Sequence, residues 1–96
     1  MTAYLIGDLE IFDLEQIQDY RAKALPLVER FGGKALALDA TPLDLENWQS
    51  GNMILLEFPD RQSIEALFAS PEYAPLAKQR QAASKSRLIA IDGLGS

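Results

Sequence analysis

Residues 4–11 (YLIGDLEI) are rich in β-formers and too few for an independent helix, so the pattern predicts a strand. The period then changes. Leu14, Ile17, Tyr20, Ala24, Leu27, Val28 and Phe31 recur at helical spacing, and Asp13 stands three residues before Gln16, as in a capping box. This amphipathic helix closes at Gly32-Gly33, because glycine adopts the left-handed conformation of a helix C-cap without steric cost. Pro26 lies inside it, lacks the N–H that would bond one turn back, and predicts a bend. Residues 34–39 (KALALD) and 52–58 (NMILLEF) return to β character, joined by a long loop with Thr41-Pro42, Trp48 and Ser50-Gly51-Asn52. Pro59-Asp60 opens a second helix with Ile64, Leu67 and Phe68 on its apolar stripe, and Ser70-Pro71 breaks it. A helical continuation from Pro71 to about Ala83 turns Tyr73, Leu76 and Ala77 inward, with Arg80 one turn later. Residues 87–92 (RLIAID) form the last strand before Gly93, and Leu94-Gly95-Ser96 is expected to fray.

The order β-α-β-β-α-β predicts an α+β, ferredoxin-like sandwich: a four-stranded antiparallel sheet, strands one and three central, both helices on one face. No repeat, linker or low-complexity tract divides the chain, so one domain is expected over residues 1–96, its core about 3–93. Strict alternation assigns Leu5, Leu9, Ile11, Leu36, Leu38, Ile54, Leu56, Phe58, Ile89 and Ile91 to the helix side. The opposite side receives Tyr4, Ile6, Ala35, Ala37, Met53, Leu55, Leu88 and Ala90. A sheet face turned to water should be polar there, and this one is not. The least elaborate cover is the same face of a second subunit, so a homodimer with facing sheets is expected.

Composition narrows the chemistry. With no cysteine and no histidine, the chain has no disulfide, thiolate nucleophile, zinc-finger site or imidazole base. No metal site or cofactor is expected. Fourteen acidic against nine basic residues give a net charge of -5, which argues against nucleic acid or an anionic membrane as partner. The opening MTAYLIGDLE resembles neither a secretory signal nor a membrane span, so a cytoplasmic protein is expected.

Arg80 is the first candidate, because a guanidinium on the helical layer can hold a carboxylate or enolate; the plainer alternative is pairing with Glu72, Asp19 or a backbone carbonyl. Tyr20 and Tyr73 face the space between helices and sheet as ligand contacts or as core phenols tied off by hydrogen bonds. Asp8, mid-strand beside Tyr4 and Ile6, becomes a general base if buried without a partner, whereas a cross-strand pair with Arg87 makes it structural. Trp48 is a ligand contact, a lid over the sheet or an interface anchor. Ser70 before Pro71 is a turn or cap residue, there being no histidine to activate it.

The ordered run YLI at 4–6, Asp13 before a helix carrying Tyr20, Phe31-Gly32-Gly33, Trp48, Phe58-Pro59, Ser70-Pro71-Glu72-Tyr73, Arg80 and Asp92-Gly93 covers nearly the whole chain. It resembles the domain-of-unknown-function 1330 family of small dimeric α/β-barrel proteins. The resemblance implies a dimeric barrel and no settled reaction. Two positions depart from the family pattern: Ala37-Leu38-Asp39 replaces a strand ending in arginine and glycine, and Ile17 stands where an aromatic is usual. The first departure leaves Arg80 to act largely alone on an anion. The expected function is binding of a small carbonyl, carboxylate or aromatic metabolite between sheet and helices, with Arg80 orienting it and Asp8 moving a proton. By fold analogy alone, any catalysis is cofactor-free and isomerase- or monooxygenase-like. The alternative is a dimeric binding or regulatory module with a protein partner.

Overall fold

Asp13 caps the first helix as its spacing anticipates, its carboxylate accepting the Gln16 N–H at 3.1 Å. The computed structural model describes residues 1–95, so Ser96 at the end of the expected fraying tail lies outside the described residues. The elements are β1 (Ala3–Ile11), α1 (Leu14–Arg30), β2 (Lys34–Asp39), β3 (Asn52–Phe58), α2 (Arg61–Ala69), α3 (Tyr73–Ala83) and β4 (Ser84–Asp92). Helix α1 runs uninterrupted through Pro26 and ends before Gly32, whose φ of 87° is the left-handed turn a side chain rarely adopts. Asp60 caps α2, accepting the Ser63 N–H at 2.7 Å.

The strands form one antiparallel sheet in the order β2-β3-β1-β4. Its principal extents of 34 × 34 × 16 Å are those of one sheet under one layer of helices. Phe58, Ile17 and Leu67 are fully buried in that interface, with Leu5, Leu27, Val28, Leu56 and Ile64 beside them.

Strict alternation misplaces β4 and, in β2, Ala35. Strand β4 begins at Ser84 rather than Arg87 and pairs Ile89 with Ile6 and Leu88 with Gly7. Residues paired across strands share a face, so Leu88 and Ala90 point under the helices while Ile89 and Ile91 point away. The physical reason is Gly7. A Cβ there would stand 2.8 Å from Ile54 Cγ2 and 2.9 Å from Leu88 Cδ2, so a missing side chain makes room for both. In β2 a bulge between Ala35 and Ala37 breaks the period: Ala35 pairs with Leu56 and Leu38 with Ile54 on the helix side, while Ala37 pairs with Leu55 on the other. The uncovered face is therefore more apolar than expected, with Tyr4, Ile6, Met53, Leu55, Ile89 and Ile91 on it, and Ile89 is 60% exposed.

Candidate functional site

Arg80 projects from the last turn of α3 into the helix–sheet interface, where it is only 6% exposed. Its Nη1 donates to Tyr73 Oη at 2.5 Å and its Nε to Ser86 Oγ on β4 at 3.2 Å. Tyr73 Oη lies 2.7 Å from Tyr20 Oη on α1, and the guanidinium carbon stands 5.9 Å from the centroid of each tyrosine ring. The acids expected to neutralise Arg80 are engaged elsewhere. Glu72 pairs with Arg30 at 3.2 Å and Asp19 with Lys23 at 2.8 Å, and no salt bridge to Arg80 forms among the described residues. A buried cation without a counterion is costly. Two aromatic faces and two hydroxyls soften that cost without cancelling the charge. Burial, and after it the adjoining Tyr20, pushes the Tyr73 phenol well above its ordinary pKa against the opposing pull of Arg80. Tyr73 is therefore a neutral hydroxyl.

A second cluster lies on the other face of the same two strands. Asp8 pairs with Arg87 and Met53, and the loop between β2 and β3 folds over it, leaving its side chain 8% exposed. One carboxylate oxygen accepts from Trp48 Nε1 at 2.9 Å and Arg87 Nη2 at 2.8 Å; the other accepts from the Gly51 backbone N–H at 2.8 Å. Burial pushes the Asp8 pKa up, but the bonds from Trp48, Gly51 and Arg87 outweigh it and hold the carboxyl below its ordinary range. Asp8 is thus a clamp and a weak base. Arg87 also stands 6.0 Å over the Trp48 ring, which is half-exposed. The clamp forms one wall of an open depression of about 1150 Å³, lined also by Glu10, Asn47 and Lys85.

The structure thus divides the sequence candidates. Tyr20, Tyr73 and Arg80 meet in the helix–sheet interface, while Asp8 and Trp48 meet on the open face. The expectation that Asp8 moves a proton on a ligand held by Arg80 is corrected by strand parity. Asp8 alternates with Leu9, whose cross-strand partner is Ser86, the residue that touches Arg80. The sheet stands between them. The large depression lies on the Asp8 side and does not include Arg80. Sequence reading missed Ser86 and Gly51. Ser86 lies ahead of the strand expected at 87–92, and Gly51 reads as a turn glycine. Ser70 proves to be the expected turn residue, its Oγ donating to the Leu67 carbonyl at 2.7 Å.

A family model described as "Domain of unknown function (DUF1330)" matches residues 2–94. No curated protein matches the sequence. Among solved structures, the methylated RPA0582 protein of Rhodopseudomonas palustris is 22% identical, with a TM-score of 0.82 over 98% of this chain and 82% of that one. A dimeric ferredoxin-like protein of unknown function from Jannaschia sp. CCS1 is 11% identical, with a TM-score of 0.76 over 97% and 100%. A mutant of SnoaB, a cofactor-independent oxygenase from Streptomyces nogalater, is 14% identical, with a TM-score of 0.72 over 99% and 95%. At these identities the likeness is one of fold. No helix among the described residues is long and apolar enough to cross a membrane.

Proposed function

This chain belongs to the DUF1330 family, whose description assigns no activity, and from that premise we propose that it is a homodimeric protein binding a small organic metabolite in the cleft between helices and sheet, with Arg80 as the anchor. The observation that carries the reading is a guanidinium 6% exposed with no carboxylate beside it among the described residues. A purely structural cation in that place would be expected to keep its own acid. The aromatic walls of Tyr20 and Tyr73 suit a flat carbonyl or carboxylate compound.

A thermal-shift screen of small carboxylic acids and aromatic metabolites tests this. Arg80→Met, which keeps the length and loses the charge, should fold with a midpoint equal to or above that of the wild type, since removing an uncompensated buried charge is neutral or stabilising by about 1 kcal/mol or more. A compound that stabilises the wild type should not stabilise this variant. Equal shifts in both proteins, or a strongly destabilised Arg80→Met, would return Arg80 to a structural role.

The homodimer is supported by the open face, where Ile89 is 60% and Ile91 43% exposed beside Tyr4, Ile6, Met53 and Leu55. The Jannaschia fold neighbour is described as dimeric. Sedimentation at micromolar concentration should give a two-chain mass, and Ile89→Lys should shift it to one chain while leaving the helix content unchanged. A wild-type monomer would sink the dimer and favour the second reading, a binding module whose open face receives a different protein. The fold neighbour that is a cofactor-independent oxygenase is compatible with turnover in the cleft, but with Asp8 behind the sheet any proton transfer there falls to Tyr20 or the ligand itself.

A further inference from the structure

The Arg80 cluster has a direction, and that direction leaves donors unspent on two side chains. A guanidinium carries five N–H groups and no acceptor, so the bond from Arg80 Nη1 to Tyr73 Oη runs only one way. Tyr73 is 4% exposed, so its own hydroxyl hydrogen needs an acceptor, and the partner present is Tyr20 Oη at 2.7 Å. Tyr20 therefore accepts from Tyr73, and its own hydrogen is left over on a half-buried side chain. Arg80 Nη2 is the second unspent donor. Nε is taken by Ser86 and one hydrogen of Nη1 by Tyr73, while Nη2 joins no hydrogen bond among the described residues. No fully enclosed side-chain nitrogen or oxygen among them lacks a partner, so Nη2 retains some access to solvent. Two successive hydrogen bonds of 2.5 and 2.7 Å keep Tyr20 Oη within two hydrogen-bond lengths of the guanidinium.

We propose that Arg80 Nη2 and Tyr20 Oη together grip one oxyanion of the ligand, a carboxylate or an enolate, with Tyr73 relaying between them and fixing which way the Tyr20 hydroxyl points. This rests on the Arg80 reading and adds the group recognised. Both free positions are donors, so the matching group is acceptor-only. A carboxylate or enolate, whose oxygen accepts charge-assisted bonds at about 2.8 Å, holds such a pair about twice as strongly per bond as the neutral oxygen of a carboxamide. Tyr73 stays protonated because burial and Tyr20 push its pKa up, so the relay holds at neutral pH. Phe68 lies 4.9 Å from Tyr73, and Leu76, Ala77 and Leu88 pack on the same core, so an apolar or aromatic body behind the oxyanion fits the surroundings. Tyr73 is a positioning residue; Arg80 and Tyr20 are the contacts.

Benzoate and benzamide, identical but for the acceptor-only group, are the probes. They are titrated against isotope-labelled protein while nuclear magnetic resonance follows the Arg80 Nε–H and the Tyr20 ring. Benzoate should move both signals and bind at least about tenfold more tightly than benzamide, a factor worth about 1.4 kcal/mol. Tyr20→Phe should weaken benzoate about tenfold without changing benzamide. Tyr73→Phe, which removes the relay but neither donor, should weaken benzoate less. Circular dichroism confirms the fold of each variant, and the benzoate-to-benzamide ratio in the wild type decides the matter even if one variant does not fold. Benzoate binding that depends on Arg80 but is as tight in Tyr20→Phe overturns the two-point grip and leaves the Arg80 reading standing. Equal affinity for benzoate and benzamide overturns the oxyanion. Benzoate that leaves the Arg80 signal unmoved at tens of millimolar overturns both.

Discussion

Asp8→Asn is expected to lower the thermal unfolding midpoint by about 15 °C, the equivalent of about 3 kcal/mol in a domain of this size. The substitution is nearly isosteric, so the loss comes from hydrogen-bond polarity. Three donors converge on the carboxylate: Trp48 Nε1 and Arg87 Nη2 on one oxygen, the Gly51 N–H on the other. An asparagine offers one oxygen, so its amide N–H groups must face the Gly51 N–H or the other two donors. Arg87 is 66% exposed while Asp8 is 8% exposed, so little of the loss belongs to the ion pair and most to the Trp48 and Gly51 bonds. The same bonds fix the pH dependence. The folded pKa of Asp8 is depressed below the unfolded value of 3.8, so its contribution is fully present above that value and is lost as pH falls through the lower folded value. The wild-type midpoint should therefore fall steeply below about pH 4, and the fall should be shallower in Asp8→Asn. Asp60 and Glu72, also depressed by local hydrogen bonds, keep the variant from being flat. Melting curves across the acid range decide it; parallel falls in the two proteins would show that Asp8 is not held by these donors.

Gly51→Ala should cost a similar amount, about 3 kcal/mol, through a different cause. A Cβ on Gly51 would overlap the carbonyl oxygen of Leu9, stand 2.8 Å from its carbonyl carbon and 3.2 Å from Asp8 Oδ1. The obstacle is backbone of the central strand, which cannot swing aside as a side chain can. The loop must lift, and in lifting it withdraws the Gly51 N–H and the Trp48 indole from Asp8. Trp48 emission should shift to the red as the ring leaves the Arg87 guanidinium. Because both substitutions break one clamp, the double variant should be destabilised by clearly less than the sum of the two. An additive double variant with unchanged Trp48 emission would mean that the loop and the carboxylate are not one unit.

The order of the elements was legible because each carries its own period and punctuation. Asp13, Gly32, Pro59 and Ser70-Pro71 act over three or four residues, and the helices begin and end where they set the boundaries. The faces of Ala35 in β2 and of β4 were not legible. One extra residue in the bulge after Ala35 reverses the parity of the rest of β2, and the parity of β4 depends on Gly7, far earlier in the chain than Leu88, leaving space for it. The cleft was partly legible: Tyr20, Tyr73 and Arg80 share an inward helical pattern, and the structure joins them. That Asp8 and Arg80 stand on opposite sides of a sheet could not be read from either residue.

By itself the sequence determined the chemical inventory and the local geometry: no thiol, no imidazole, a capped helix, four strands and a cation on the last helix. Those follow from residue type and short-range spacing, where sterics and capping hydrogen bonds act between neighbours. Tertiary structure alone decided which charges are neutralised. Glu72 and Asp19 went to Arg30 and Lys23, and Asp8 was shared among Trp48, Gly51 and Arg87. Arg80 was left buried with no acid paired to it among the described residues, because ion pairing depends on a few ångströms between residues that the chain brings together only when it folds.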